Sequence, residues 1–396
     1  MAKLILKRGR EGRVLAGHPW IYRGEISELH GPWHSGEAVS VLTGDGRFLG
    51  RGFYNPRPSI ACRLLTRDDA PIDRAFFRRR VEAALAYRQT LQLVDDAFRL
   101  VWSEADGLPG LVVDQYGPVM VLQCLTLGMA QARSLIADVL RSFTDGAGAL
   151  RSSAIYCRDD PGAARLEGFE PHAGWIGDAG PTEMEIREDG CRFLVDVARG
   201  QKTGFYLDQR ENRALVAGHA QGKRVLDAFC YTGAFACQVL VRGAERVLAI
   251  ETSAEAAALA RRTLALNGVL SRAEVNEVNA FDELRRLERA GERFHLVILD
   301  PPPFARRKDA LDSAARGYKE VNLRALRLLH PGGLLATFSC SHHISTQLFE
   351  EICQAAAADA GGSVRLLGPL TQSRDHPVLL SVPETRYLKG LLLQVV

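Results

Sequence analysis

Four side chains able to do chemistry stand at the ends of four apolar runs. Val225-Leu226 leads into Asp227, and Val247-Leu248-Ala249-Ile250 ends in Glu251, twenty-four residues further on. Leu296-Val297-Ile298-Leu299 is followed by Asp300, and Leu334-Leu335-Ala336-Thr337-Phe338-Ser339 by Cys340. Continuous apolar runs recurring between helical stretches read as strands of a parallel sheet, whose ligands bind outside the strands' carboxyl ends. A carboxylate at the second strand end is placed to accept hydrogen bonds from two ribose hydroxyls. A cysteine at the tip of a strand is a nucleophile on a rigid support.

The loop after the first strand, Phe229-Cys230-Tyr231-Thr232-Gly233, is poor in glycine. A nicotinamide site needs Gly-x-Gly-x-x-Gly so that backbone can approach a diphosphate. Two bulky residues here argue against that cofactor and against a dehydrogenase. A cofactor with ribose, adenine and a small charged tail, but no phosphate, fits better. S-adenosylmethionine is the common example. Asn279, at the third strand end, could accept from an adenine amine while Phe281 packs the ring; it could equally cap a helix. In Asp300-Pro301-Pro302-Pro303-Phe304, consecutive prolines remove donors and fix an extended turn. Such a loop holds Asp300 and its neighbouring carbonyls against a planar, amine-bearing base, with Phe304 free to stack.

The elements that must position these residues are regular. Strands are predicted over 224–230, 246–251, 273–278, 294–299 and 333–339, separated by helices over 233–242, 254–267, 281–290, 316–329 and 345–359. Two terminal strands are expected near 363–368 and 387–396. This alternation predicts an α/β, doubly wound, mainly parallel Rossmann-like sheet. Residues 1–70 alternate in short runs broken by Gly and Pro, which reads as a small β-barrel. A helix is expected from Ile72 to about Leu93, capped by Asp73. Strands and a helix near 130–143 make residues 98–180 a compact α+β unit, and Phe193–Val197 a hairpin arm. The expected domains are 1–70, 71–185 and 186–396.

At 396 residues the chain is too long for one ordinary core. It has no apolar run long enough for a membrane span, and its N-terminus lacks a secretory core, so a cytoplasmic protein is expected. The net charge is +3, but residues 1–67 hold eleven Lys and Arg against five acids, a local balance of +6. A basic module on a mildly acidic body fits a polyanion partner, most simply nucleic acid. Eight cysteines include no Cys-x-x-Cys pair, so neither a zinc site nor a redox dithiol is signalled. Seven of them read as small buried hydrophobes.

Several longer motifs carry a resemblance: Gly17-His18-Pro19-Trp20-Ile21-Tyr22, Glu104-Ala105-Asp106-Gly107-Leu108-Pro109-Gly110-Leu111, Lys202-Thr203-Gly204-Phe205-Tyr206-Leu207-Asp208-Gln209-Arg210, Arg316-Gly317-Tyr318-Lys319-Glu320-Val321-Asn322 and Asp375-His376-Pro377-Val378. Nearly end to end, the chain resembles the 23S ribosomal RNA cytosine-C5 methyltransferases of the large subunit methyltransferase I type. The resemblance implies a PUA-like RNA-binding domain, a central α+β domain and a methyltransferase domain using S-adenosylmethionine. It implies that Phe205, Tyr206, Asp208, Gln209 and Arg210 close over the cofactor, with Gln209 near its amino-acid end. Asp227, Glu251 and Asn279 become cofactor contacts, together with Phe229, Tyr231, Thr232, Gly233, Thr252, Ala280, Phe281 and Asp300. Cys340 becomes the nucleophile. Two positions depart from the family pattern: many relatives have Asp where Asn279 stands, and Ser-Gly often follows the nucleophile where this chain has Ser341-His342-His343.

A cysteine makes chemical sense there. Cytosine C5 is too weak a nucleophile to attack a sulfonium methyl unaided, and a thiolate adding to C6 pushes electron density onto C5. Asp300 would bind the base, flanked by Pro301, Pro302 and Phe304, while Arg23, Arg51 and Arg57 contact RNA. Trp20 is expected in the core. The partner is then 23S rRNA, with no membrane and with a homodimer left open. Two other readings stand beside this one. An N-methyltransferase acting on an exocyclic amine would use the Asp-Pro-Pro loop without a cysteine. A non-catalytic RNA-binding assembly factor would keep only the fold.

Overall fold

The computed structural model describes residues 1–93, 95–144, 154–304 and 311–396. Two compact units emerge. The first comprises Met1–Ile186, Val195–Leu207 and Arg374–Arg386; the second comprises Arg187–Leu194, Asp208–Ser373 and Tyr387–Val396. A two-stranded ribbon, Glu183–Glu188 with Cys191–Asp196, contributes to both.

In the first unit the basic N-terminal stretch forms a six-stranded sheet from Lys3–Leu6, Trp20–Tyr22, Ile26–His30, Ala38–Leu42, Phe48–Tyr54 and Ile60–Thr66. Its alternation is visible in Ala38–Leu42, where Val39 and Val41 are buried between half-exposed neighbours, the period of two that a one-faced sheet requires. The helix expected after it runs Arg74–Thr90, and Asp73 caps it by accepting from the Phe76 N–H at 2.9 Å. A five-stranded sheet follows, built from Ala97–Trp102, Leu111–Tyr116, Val119–Cys124, Ala154–Arg158 and Ala173–Trp175. The single helix expected near 130–143 is two, Leu127–Gln131 and Arg133–Arg141, because Ala132, with ψ at 0°, leaves the helical region. Asp375 is a buried junction of this unit. It accepts from the Arg99 N–H at 2.9 Å and bonds His376 at 2.7 Å, while its carbonyl takes the Arg88 guanidinium at 2.8 Å.

The second unit holds the sheet that positions the candidate site. Its strands are β1 (Arg224–Ala228), β2 (Arg246–Glu251), β3 (Ala273–Glu277), β4 (Phe294–Leu299), β5 (Leu329–Ser339), β6 (Val364–Thr371) and β7 (Lys389–Val395). Its helices are α1 (Arg210–Ala217), α2 (Ala234–Val241), α3 (Ala254–Leu266), α4 (Ala280–Arg289), α5 (Leu311–Arg327) and α6 (Thr346–Ala360). The strand order is β3-β2-β1-β4-β5-β7-β6. The first five are parallel, and β7 runs antiparallel between β5 and β6. Strand order reverses direction at β1 and β4, which is where such sheets bind ligands. The strands are near-continuously apolar because helices cover both faces of a parallel sheet.

β7 can slip between its neighbours only because position 390 has no side chain. A Cβ on Gly390 would stand 2.5 Å from the Phe338 ring and 2.9 Å from Leu370 Cβ. The periodicity does not announce α1. Its buried face carries Arg210, Asn212 and Arg213 beside Val216 and Ala217, so polar residues sit where an amphipathic pattern expects apolar ones. Glu188 of the ribbon explains this: both its oxygens take the Arg213 guanidinium at 2.7 Å, and Arg210 approaches it at 3.5 Å.

Candidate active site

Asp227 near the end of β1, Glu251 at the end of β2 and Asp300 just after β4 are the strand-end carboxylates, and the charges of Glu251 and Asp300 act on Asp227. Burial pushes the Asp227 carboxyl up to about 8, the bond from the Ala236 N–H opposes this, and the charges of Asp300 and Glu251 add to the rise. Asp227 Oδ2 accepts from Ala236 N at 2.9 Å, while Oδ1 is buried without a hydrogen-bond partner. Thr232 Oγ1 is a second buried polar atom without a partner. Buried polar groups in folded proteins are almost always bonded, so each of these two atoms has hydrogen-bonding capacity left for a ligand.

The turn between β1 and α2 is strained. Phe229 and Tyr231 adopt φ of 66° and 50°, in the left-handed region that non-glycine residues avoid. Gly233 follows at φ 74°, where a Cβ would stand 3.1 Å from Ala260 Cβ, so glycine is required by both conformation and space. Glu251 holds this turn: Oε2 accepts from Tyr231 N at 2.9 Å, while Oε1 accepts from Thr252 N at 2.8 Å and Ser253 N at 2.9 Å. Three backbone donors leave the carboxylate room for one further bond. Thr252 is exposed, and its hydroxyl reaches the Val278 carbonyl at 3.4 Å.

Asn279 is the cap of α4. Its Oδ1 accepts from Phe281 N at 2.9 Å and Asp282 N at 3.4 Å, the capping role expected from the sequence. Ala280 is buried beneath it. Phe281, Phe229 and Phe304 form a ring cluster with centroids 5.5 to 6.5 Å apart, and Phe304 continues onto Tyr318 at 4.6 Å. Pro301 is buried, and Pro302 and Pro303 are exposed. Gln209 donates to Asp300 Oδ2 at 3.1 Å and is itself oriented by the Asn212 amide at 2.6 Å.

The run Phe205–Arg210 is divided between the two units. Phe205 and Tyr206 belong to the first unit, Phe205 buried there and Tyr206 bonded to Gln201 at 2.6 Å. In the second unit Asp208 accepts from the Tyr387 hydroxyl, and the buried Arg210 guanidinium turns toward Glu188. Gln209 of this run reaches the strand-end carboxylate of Asp300. In the first unit Arg23 and Arg57 are exposed, Arg51 is neutralised by Asp69, and half-buried Trp20 is no pure core residue, because its indole N–H donates to Glu104 at 2.8 Å.

Of the eight cysteines, seven are buried, and Cys340 alone is partly exposed. Its sulfur lies 3.9 Å from the Pro301 carbonyl, which brings the ends of β4 and β5 together. Ser341 beside it is bonded to the Tyr318 hydroxyl at 2.9 Å, and its carbonyl takes the Lys389 amine at 2.8 Å. Tyr318 and Lys389 were not singled out from the sequence. The signal for Lys389 was a charged residue heading the apolar run Gly390-Leu391-Leu392-Leu393.

A strand order with one antiparallel strand, an acidic ligand site without a diphosphate loop and an aromatic wall define an S-adenosylmethionine-dependent methyltransferase. The family model of that description matches residues 169–377, and one for a PUA-like domain matches residues 4–67. The chain is 41% identical to Ribosomal RNA large subunit methyltransferase I of Erwinia tasmaniensis, covering 100% of this chain and 99% of that protein. The Escherichia coli O127:H6 protein of the same name is 39% identical, covering 99% of each. The chain therefore belongs to the ribosomal RNA large subunit methyltransferase I family. A solved structure of the candidate methyltransferase SMU.776 complexed with SAH has the same fold, with a TM-score of 0.87 over the full length of both chains at 20% identity.

The residues present suit S-adenosylmethionine. Its sulfonium and ammonium are cations, and the site supplies Asp227, Glu251 and Asp300 together with the partnerless oxygens of Asp227 and Thr232. Its adenine needs flat apolar surface, which Phe229, Phe281 and Phe304 provide.

Proposed function

We propose that this protein methylates C5 of a cytosine in 23S ribosomal RNA through a covalent adduct with Cys340. The observation that carries the reading is the exposure of Cys340 alone among eight cysteines, with its sulfur 3.9 Å from the carbonyl that follows Asp300. S-adenosylmethionine supplies the methyl group. Glu251 binds its ribose, Gln209 and Asp300 its amino-acid end, and the phenylalanine cluster its adenine. The Cys340 thiolate adds to C6 of the cytosine, C5 takes the methyl, the C5 proton leaves to a base, and elimination at C6 returns the thiolate. Asp300, Pro301, Pro302 and Phe304 bind the target base.

Large-subunit ribosomal RNA as substrate is supported by the names of relatives 39 to 41% identical over the whole chain. Residues 1–70 act as the RNA-docking domain, 71–185 as the central domain and 186–396 as the catalytic domain. The exposed guanidinium groups of Arg23 and Arg57, with Arg51 once released from Asp69, contact the RNA backbone, positioning rather than specifying.

The test is a denaturing gel of the protein incubated with S-adenosylmethionine and 23S rRNA carrying 5-fluorocytidine, beside Cys340→Ala. Fluorine at C5 blocks the elimination, so a slow-migrating adduct lost in the variant is expected. Methyl transfer to ordinary rRNA without any adduct would overturn the thiolate route in favour of amine methylation.

A further inference from the structure

Lys389 opens β7 directly opposite Ser339 of β5, one residue before Cys340. It is 6% exposed, and no carboxylate among the described residues pairs with it. Its Nζ donates to the Ser341 carbonyl at 2.8 Å and to the Tyr387 carbonyl at 2.7 Å. Lys389 thus pairs with Ser339 through its backbone and binds the Ser341 carbonyl through its amine, the residues on either side of Cys340. Two of its hydrogens are committed, which leaves the ammonium one more proton to give or the neutral amine one lone pair. A buried lysine without a counter-charge favours the neutral form: burial pushes the Lys389 amine down to about 8, and the Cys340 charge opposes part of that fall.

We propose that Lys389 takes the proton from the Cys340 thiol and holds the thiolate. The S–H bond breaks, an N–H bond forms, and the ammonium remains as the thiolate's counter-charge through addition and elimination. Lys389 is a positioning residue acting through Cys340, and its part in methylation rests on the reading of Cys340 as the nucleophile. Other groups face this pair. The Tyr318 hydroxyl of α5 is bonded to Ser341, and burial raises it above its ordinary value, so it stays neutral. Asp300 precedes the Pro301 carbonyl, and Asp208 takes the Tyr387 hydroxyl. His342 and His343 follow in the chain and are exposed.

The experiment follows alkylation of Cys340 by iodoacetamide, read by peptide mass spectrometry between pH 5.5 and 10. It uses the full-length protein, Lys389→Met and Lys389→Arg, with SAH binding as the check of an intact site. Wild-type Cys340 is expected to react about tenfold faster at pH 7 than in Lys389→Met, whose profile moves up by about one pH unit. Lys389→Arg keeps the counter-charge but cannot accept a proton, so a profile fully restored to wild type overturns the proton transfer and leaves only the counter-charge. A Lys389→Met profile identical to wild type overturns the proposal. Should Lys389→Met fail to bind SAH, the wild-type profile decides: half-maximal reaction at or above the ordinary thiol value of about 8.5 overturns it, and below that supports it. The 5-fluorocytidine adduct is read separately, so its absence alongside a fast, Lys389-dependent Cys340 removes the C5 reading and leaves the proton transfer standing.

Discussion

Tyr231 gives its backbone N–H to Glu251 Oε2 at 2.9 Å, so the carboxylate at the tip of β2 holds the turn that leaves β1. Tyr231 sits at φ 50°, and a left-handed non-glycine residue costs on the order of 1 kcal/mol or more unless its surroundings enforce it. Glu251 is that enforcement. The residue proposed to bind the cofactor ribose also holds the neighbouring turn in its shape.

Glu251→Gln replaces a carboxylate that accepts three N–H groups with an amide that offers one acceptor. Bonds to a charged group are worth about 1.5–3 kcal/mol each. Affinity for S-adenosylmethionine should fall about tenfold or more by isothermal titration calorimetry. An unchanged value would mean that the strained turn keeps its shape without this carboxylate.

Asp227 makes both stability and cofactor affinity depend on pH. Its carboxyl is raised to about 8 by burial, so between about pH 4 and pH 8 the folded chain keeps a proton that the unfolded chain has released. Its contribution to stability therefore declines as pH rises through that window. A bound cation favours the ionised form, so S-adenosylmethionine should bind more tightly from pH 6 to pH 8 and level off above. Asp227→Asn should flatten the affinity profile, and its urea midpoint should gain on wild type between pH 6 and pH 9.

Phe281 stands in the ring cluster with Phe229 and Phe304, at centroid distances of 6.3 and 5.5 Å. Aromatic pairs contribute about 0.5–1.5 kcal/mol beyond area. Phe281→Ala should weaken SAH binding several-fold while leaving Cys340 alkylation unchanged, as mass spectrometry of the same peptide would record.

Glu188 is 1% exposed and holds Arg213 through two bonds of 2.7 Å. Removing one partner of a buried pair costs about 3–5 kcal/mol. Glu188→Ala should lower the unfolding free energy from urea titration by that order, whereas Glu82→Ala, whose pair with Arg78 is exposed, should change it little.

The sheet of the second unit was legible because its strands are apolar runs without polar interruption, such as Leu296–Leu299, each closing on a residue that chemistry singles out. Burial of that kind is written in composition. The helix α1 was not legible, because its inner face is held by ion pairing to Glu188, a partner on a distant ribbon that no local periodicity contains. From sequence Asn279 reads both as a cap and as an adenine contact, and the structure shows the cap, with Oδ1 accepting from Phe281 and Asp282. Phe205 and Tyr206 sit in an unbroken motif with Gln209, yet the chain passes from one unit to the other after Leu207.

Chain order and spatial order disagree at one edge of the catalytic sheet. During synthesis β6 emerges before β7, but it can join the sheet only through β7, which pairs with β5 on its other side. Lys389 travels with that late strand. Until the β6–β7 hairpin has inserted, β5 presents an open ladder on this edge, and Cys340 is without Lys389, the residue proposed to take its proton.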